Sequence, residues 1–353
     1  MAERSADKII DSLIHVTRQT DRELLEASLA STLYELMQVE RVAHYKVFYE
    51  YNKPEFYLSA EVKNNKASIT DAHKMLPSAS GAETNNLLDC LQHKAAIFRH
   101  SGTGCQYLYP VINKQDAVTG IFSLQCKQPC CEDKQQFISG YFQIYSNYLR
   151  LLDESEHDTL TGLLNRRTFD SNLKKLLSQP HCEHDSHRED NPPQRRHENT
   201  AKSNWLAVID IDFFKRINDH FGHLYGDEVL LLLANIMRES FRGYDKLFRF
   251  GGEEFVTILK TTNQDGATKA LERFRLAVEN YPFPQTGQVT VSIGYVELNE
   301  LAIPSEILGY ADEALYFAKQ HGRNQVCHYE TLISDGKLQS STPAVASSDI
   351  EMF

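Results

Sequence analysis

Leu25, Leu29, Leu33 and Leu36 recur at helical spacing within residues 8–39, and that recurrence predicts an amphipathic helix near the start of the chain. Strand-like runs follow at Val42–Tyr49 and Phe56–Ala60, with the turn-prone Asn52-Lys53-Pro54 between them. Further runs lie at Ala95–Phe98, Gln106–Val111 and Gly120–Cys126. A helix, several antiparallel strands and a closing helix predict an α+β domain over residues 1–150. Within the closing helix, Phe137, Tyr141, Ile144, Tyr148 and Leu151 alternate at steps of four and three. This heptad-like seam is either the inner face of that domain's last helix or a parallel two-helix contact, with residues 151–157 as a helical connector.

The second half has a different pattern. Trp205–Ile209 is a short apolar run of the kind that forms a buried strand, and it ends in Asp210-Ile211-Asp212 ahead of the helix-like segment 213–219. Leu247–Phe250 and Phe255–Leu259 flank Gly251-Gly252-Glu253-Glu254, which predicts a tight hairpin turn carrying two carboxylates. Acids at the carboxyl end of a buried strand stand where open α/β sheets place ligands. If the hairpin lies beside that strand, Asp210 and Glu253 can share a hard cation, and one or two carboxylates are the usual protein contribution to Mg²⁺. Residues 180–203 are polar and patternless, as expected of a disordered insertion, and residues 333–353 read as a disordered polar tail.

Composition narrows the class. A chain of 353 residues, 41% hydrophobic and 24% charged, has room for two globular domains. Its formal charge of −11 disfavours a nucleic-acid polymer as partner, so any anionic ligand has to be met by local cations and metal. No run approaches the roughly 20 apolar residues of a membrane span, and the charged, polar start is unlike a signal peptide, which together predict a cytoplasmic protein. Seven cysteines at irregular spacing predict reduced, structural thiols; Cys126-x-x-x-Cys130-Cys131 offers redox or metal chemistry without a paired Cys-x-x-Cys. His73, His93 and His100 read as surface residues.

Several motifs in one order then carry a resemblance. Asp158-Thr-Leu-Thr-Gly-Leu-Leu-Asn-Arg-Arg167, Asp210-Ile-Asp-x-Phe-Lys-x-x-Asn218, Phe221-Gly-His223, Gly226-Asp227, Gly251-Gly-Glu-Glu-Phe255, Ala311-Asp312 and Ala318-Lys319-x-x-Gly-Arg323-Asn324 resemble the GGDEF-domain diguanylate cyclases, in the GGEEF spelling. The resemblance spans residues 158–332 and implies an α/β (α+β) catalytic domain of the nucleotidyl-cyclase palm type. The α+β segment before it resembles a GAF-like sensory domain by order and length, and no ligand for it can be named.

The resemblance also implies roles. Two GTP molecules are joined into cyclic di-GMP with release of two pyrophosphates, using Mg²⁺ or Mn²⁺ held by Asp210, the carbonyl of Ile211 and Glu253. Glu253 is the candidate proton acceptor, with Glu254 beside it. Lys215, Lys319 and Arg323 are placed to meet phosphates, with Phe213 in the same substrate-binding set. Asn218, His223 and Asp227 match the positions that read guanine, whose N1–H and 2-amino donors suit a carboxylate; Asp227 also reads as a helix N-terminal acid after Gly226. Arg242-x-x-Asp245, with Arg273 on the following helix, matches an inhibitory product site for cyclic di-GMP. A single chain carries one set of GTP-binding residues, which implies a homodimer. The alternative is a catalytically inactive module that binds GTP or cyclic di-GMP as a receptor.

Overall fold

The computed structural model describes residue 14 and residues 22–50, 53–69, 81–101, 104–113, 116–178, 203–298 and 303–339. The chain forms two compact units, Met1–Ser155 and Glu156–Phe353. Most of the predicted insertion, and the tail beyond residue 339, lie outside the described residues.

In the N-terminal unit, α1 (Arg22–Met37) precedes β1 (Arg41–Glu50), β2 (Lys53–Lys63) and β3 (Lys66–Ile69). After α2 (Gly81–His93) come β4 (Ile97–Ser101), β5 (Gly104–Ile112), β6 (Val118–Cys126) and α3 (Glu132–Glu156). The strands form one antiparallel sheet in the order β3-β2-β1-β6-β5-β4. Each face of the sheet has its own core, because alternate residues of a strand point to opposite sides. Val42, Tyr107, Phe122 and Leu124 meet Leu25, Leu29 and Leu33 of α1 and Ile138, Phe142 and Tyr145 of α3. Ala43, Tyr45, Leu108 and Ile121 meet Leu87 and Cys90 of α2 on the other side.

A register shift between His44 and Tyr45 of β1 brings Ser59 Oγ to 2.6 Å from His44 Nδ1, in a buried group completed by Glu26 of α1. Burial opposes the charge on Glu26, but Lys46 Nζ at 3.2 Å and His44 outweigh it and hold the carboxyl well below its ordinary range.

Two expectations for this unit need correction. Pro54 does not form the turn; it pairs with Tyr49, in a stretch of β2 that β3, pairing only at Ala60–Lys63, leaves as an open edge, where proline is tolerated. The seam on α3 is also not one face. Tyr141 is buried and Phe137 and Tyr148 are half-buried in the unit's core, whereas Ile144 and Leu151 are 46% and 62% exposed. The face that packs on the sheet is Ile138, Tyr141, Phe142, Tyr145, Leu149 and Leu152, a wider stripe than a four-three alternation captures. The helix is unbroken through residues 151–156, so the expected connector is its last turn.

The second unit contains β7 (Leu164–Asn165), α4 (Arg166–Ser178), β8 (Ser203–Ile211), α5 (Phe214–Phe221), α6 (His223–Ser240), β9 (Lys246–Gly251) and β10 (Glu254–Thr262). It ends with α7 (Gln264–Glu279), β11 (Val291–Glu297), α8 (Pro304–Gln320), β12 (Val326–His328) and α9 (Tyr329–Ser334). The sheet order is β12-β11-β8-β10-β9-β7, antiparallel through the four central strands and parallel at both edges. β8 is buried on both faces, which explains its uninterrupted apolar run. Trp205, Ala207, Ile209 and Ile211 face α6 and α7, and Leu206 and Val208 face α4, α8 and α9. The expected tail starts later than residue 333: Lys337 N–H and Leu338 N–H both donate to the Leu332 carbonyl, and Leu338 packs on the core.

Candidate active site

The hairpin and the acidic strand end are neighbours. β10 pairs with β8 in a register that sets Glu254 opposite Asp210, and β9 returns from Gly251, so the Gly251-Gly252-Glu253-Glu254 turn lies beside the carboxyl end of β8. Gly252 has φ +41°, a left-handed conformation that glycine adopts without steric cost.

Arg249 of β9 holds this turn in place. Its Nη2 donates to the Gly252 carbonyl at 2.9 Å, and its Nη1 donates to both carboxylate oxygens of Asp158 at 3.1 and 3.2 Å. Asp158 also accepts from Thr161 N–H and Oγ1 at 2.8 and 2.7 Å. Partial burial raises the Asp158 carboxyl, but these donors dominate and leave it below its ordinary value. The opening motif and the glycine turn are thus joined by a strut that motif order alone does not show.

The two aspartates of Asp210-Ile211-Asp212 have different partners. Asp212 is saturated by Thr290 Oγ1 and Ser292 Oγ, each at 2.7 Å, and by Asn324 N–H at 3.0 Å. It fastens the turn after α8 to the sheet. Asp210 is paired with Lys319 Nζ at 2.8 Å. Around it the carboxyls of Asp210, Glu253, Glu254 and Asp312 are all raised. Burial is the main cause for each, and the neighbouring acids add to it for Asp210, Glu253 and Glu254. Lys319 opposes the rise in all four. Four crowded carboxyls sharing one ammonium form a site short of positive charge, and all-oxygen donors suit a hard divalent cation. Asp312 lies in a quoted motif but received no role from the sequence, because its position on α8 reaches the site through tertiary packing.

The remaining residues fall into three groups. Phe213 has φ +58° and is half exposed; Arg323 lies over its ring at 4.4 Å and Arg216 at 5.2 Å. Lys215 is exposed in the first turn of α5. Lys319 is engaged with Asp210 and Arg323 is stacked, so two of the three expected phosphate binders have protein partners here.

Asn218 on α5 faces α6 at Gly226, where an added Cβ would stand 2.0 Å from its Oδ1. His223 and Asp227 are exposed on the first two turns of α6. The reading of Asp227 as a first-turn acid is corrected: α6 begins at His223, so Asp227 lies beyond the turn where the unpaired N–H groups are.

The third group surrounds the turn between α6 and β9. Asp245 accepts from Arg242 N–H at 3.0 Å and Lys260 N–H at 3.1 Å, and burial raises its carboxyl. Arg242 is exposed and donates to Tyr244 Oη, and Arg273 of α7 donates to the Ser240 carbonyl. Asp245 therefore has a structural role in the turn, with lone pairs left for a further donor.

Residues 191–325 match the family described as diguanylate cyclase, GGDEF domain. Diguanylate cyclase DgcP of Pseudomonas aeruginosa is 38% identical over 172 residues, 48% of this chain and 23% of that protein. Diguanylate cyclase DgcM of Escherichia coli is 38% identical over 172 residues, 49% of this chain and 38% of that protein. This chain therefore spans well under half the length of these two relatives. A crystal structure of the coiled coil and GGDEF domain of DgcB from Caulobacter crescentus, in complex with c-di-GMP, aligns with 55% of this chain and 96% of that chain at 26% identity, with a TM-score of 0.45. The match to the family and the two curated relatives, falling on the unit that carries the paired acidic strand end and glycine turn, identify residues 191–325 as a GGDEF domain.

Proposed function

We propose that the protein is a diguanylate cyclase that condenses two GTP into cyclic di-GMP and two pyrophosphates. The observation that carries this reading is the β8–β10 register, which gathers Asp210, Glu253 and Glu254 at one end of the sheet with Lys319 between them. Asp210, the Ile211 carbonyl and Glu253 hold Mg²⁺ or Mn²⁺, which when bound supplies Lewis-acid stabilisation of charge on the phosphate oxygens. Glu253, raised by burial and by Asp210, accepts the proton of the attacking 3′-hydroxyl, with Glu254 supporting the local charge. Lys215, Lys319 and Arg323 neutralise phosphate, with Lys319 moving from Asp210 as substrate arrives, and Phe213 orients Arg323. Asn218, His223 and Asp227 hold guanine, Asp227 accepting from N1–H and the 2-amino group.

One domain supplies one half of the reacting pair, so the active form is a homodimer acting in the cytoplasm. The N-terminal unit serves as a GAF-like sensory domain; its single antiparallel sheet with helices on both faces supports that reading. Incubation of purified protein with GTP and Mg²⁺, with chromatographic identification of the product, tests the activity. Asp210→Ala and Glu253→Ala are expected to lower turnover at least about 100-fold while circular dichroism stays unchanged. Turnover near wild type in either variant overturns the assignment.

Arg242, Asp245 and Arg273 form a site for the product that restrains synthesis, supported by their gathering around one turn. Cyclic di-GMP added to nucleotide-stripped protein is expected to inhibit it, and Arg242→Ala to remove inhibition while keeping catalysis. A wild type indifferent to added product rejects the site.

A further inference from the structure

A thiol cluster occupies one end of the N-terminal sheet, apart from everything the cyclase reading uses. Cys105 of β5 and Cys126 of β6 are cross-strand partners, and Cys130 lies in the turn that enters α3. The Sγ atoms of Cys126 and Cys130 are 3.8 Å apart, in S–H···S contact. The backbone of Cys130 is clamped there: its N–H donates to Tyr107 Oη at 2.9 Å, and its carbonyl accepts from Gln135 Nε2 at 2.8 Å. Cys126 is 7% exposed, Cys130 is half-buried and Cys131 is exposed. Cys105 is 4% exposed, and its sulfur faces His100 Nδ1 at 3.2 Å.

We propose that Cys126 and Cys130 form a redox-active dithiol that a hydroperoxide converts into an intramolecular disulfide. Exposure assigns the order of events, since an oxidant meets the accessible sulfur first. Burial, with Cys130 adding to it, pushes the Cys126 thiol up to about 12, which keeps it protonated until its partner is activated. With hydrogen peroxide, the Cys130 thiolate attacks one peroxide oxygen and the O–O bond breaks. Cys130 becomes a sulfenic acid, and the departing hydroxide takes up the former thiol proton as water. The Cys126 sulfur then attacks the sulfenic sulfur, the S–O bond breaks, and the hydroxyl leaves with the Cys126 proton as a second water. Two thiols give up two electrons, and the peroxide is reduced to two waters.

Forming the bond at its normal length of about 2.05 Å needs the sulfurs to approach by roughly 2 Å, within reach of side-chain rotation and a small shift of the turn. The disulfide ties the end of β6 to the start of α3.

The sequence supplies a direct assay. Lys127 lies between the two cysteines and Lys134 follows them, so trypsin separates Cys126 from Cys130 unless a disulfide joins the peptides. In the full-length Cys131→Ser protein, where the second peptide carries a single thiol, hydrogen peroxide is expected to link the two peptides in most molecules. Dithiothreitol should release them. Cys126→Ser should leave Cys130 as a sulfenic acid trapped by dimedone, and Cys130→Ser should give no link at Cys126. A predominant Cys105–Cys126 link, or both thiols remaining open to alkylation after peroxide treatment of the folded protein, overturns the proposal. Mapping the otherwise unsubstituted chain tests the same link without depending on how the serine variants fold.

Discussion

Asp158 shows how one side chain couples a distant motif to the glycine turn. It is held by Thr161 from its own loop and by Arg249, which at the same time grips the Gly252 carbonyl. Because its folded carboxyl titrates below the ordinary 3.8, its contribution to stability is fully present above about 3.8. That contribution is lost as pH falls through the lower folded value. Asp158→Asn is therefore expected to flatten the loss of stability on acidification while lowering stability at neutral pH, read as urea midpoints from about pH 7 down to 3. An unchanged acid limb removes Asp158 from this role. Arg249 itself stands two residues before the glycine pair on a strand, where an arginine gives no sequence signal because strand charges are usually solvated.

At the scale of elements, the decisive contact is β11 against α8. A Cβ on Gly294 would stand 2.2 Å from the Ala311 carbonyl oxygen and from Leu315 N, both backbone atoms that cannot turn aside. The glycine lets the helix approach the sheet closely, and that helix carries Asp312 and Lys319 to the acidic centre. Gly294→Ala is expected to cost about 1–3 kcal/mol in urea denaturation, the usual range for overpacking, and to lower turnover by displacing Lys319. Wild-type stability in that variant shows that α8 can retreat without strain.

For the whole molecule, α3 is the element that runs unbroken to the end of the N-terminal unit. Ile144 and Leu151, seven residues apart, remain exposed on it after the unit's own core is formed. They are the exposed part of the predicted seam. One residue inserted after Leu151 changes the helical phase by about 100°, and seven nearly restore it, because two turns take about 7.2 residues. Activity measured across an insertion series is expected to change strongly at one residue and less at seven. Equal activity throughout shows that the segment is a passive tether.

The sequence alone determined three of the six strands of the second unit's sheet, β8, β9 and β10, together with the glycine hairpin and the order of the acidic motifs. Those features rest on local signals: a run buried on both faces, two glycines between apolar segments, and residue types at short spacing. It also placed Asp210, Glu253 and Lys319 in one list without saying how they meet. Tertiary structure decided which aspartate faces the acidic centre, since Asp210 and Asp212 differ only in whether Lys319 or the Thr290, Ser292 and Asn324 donors lie against them. It likewise decided that α3 buries Tyr145 and Leu149 while leaving Ile144 and Leu151 outside, because a helix has several apolar stripes and the packed sheet chooses among them. The closeness of Cys126 and Cys130 has the same origin: their spacing marks them as candidates for redox or metal chemistry, and a strand end and a clamped turn bring the two sulfurs together.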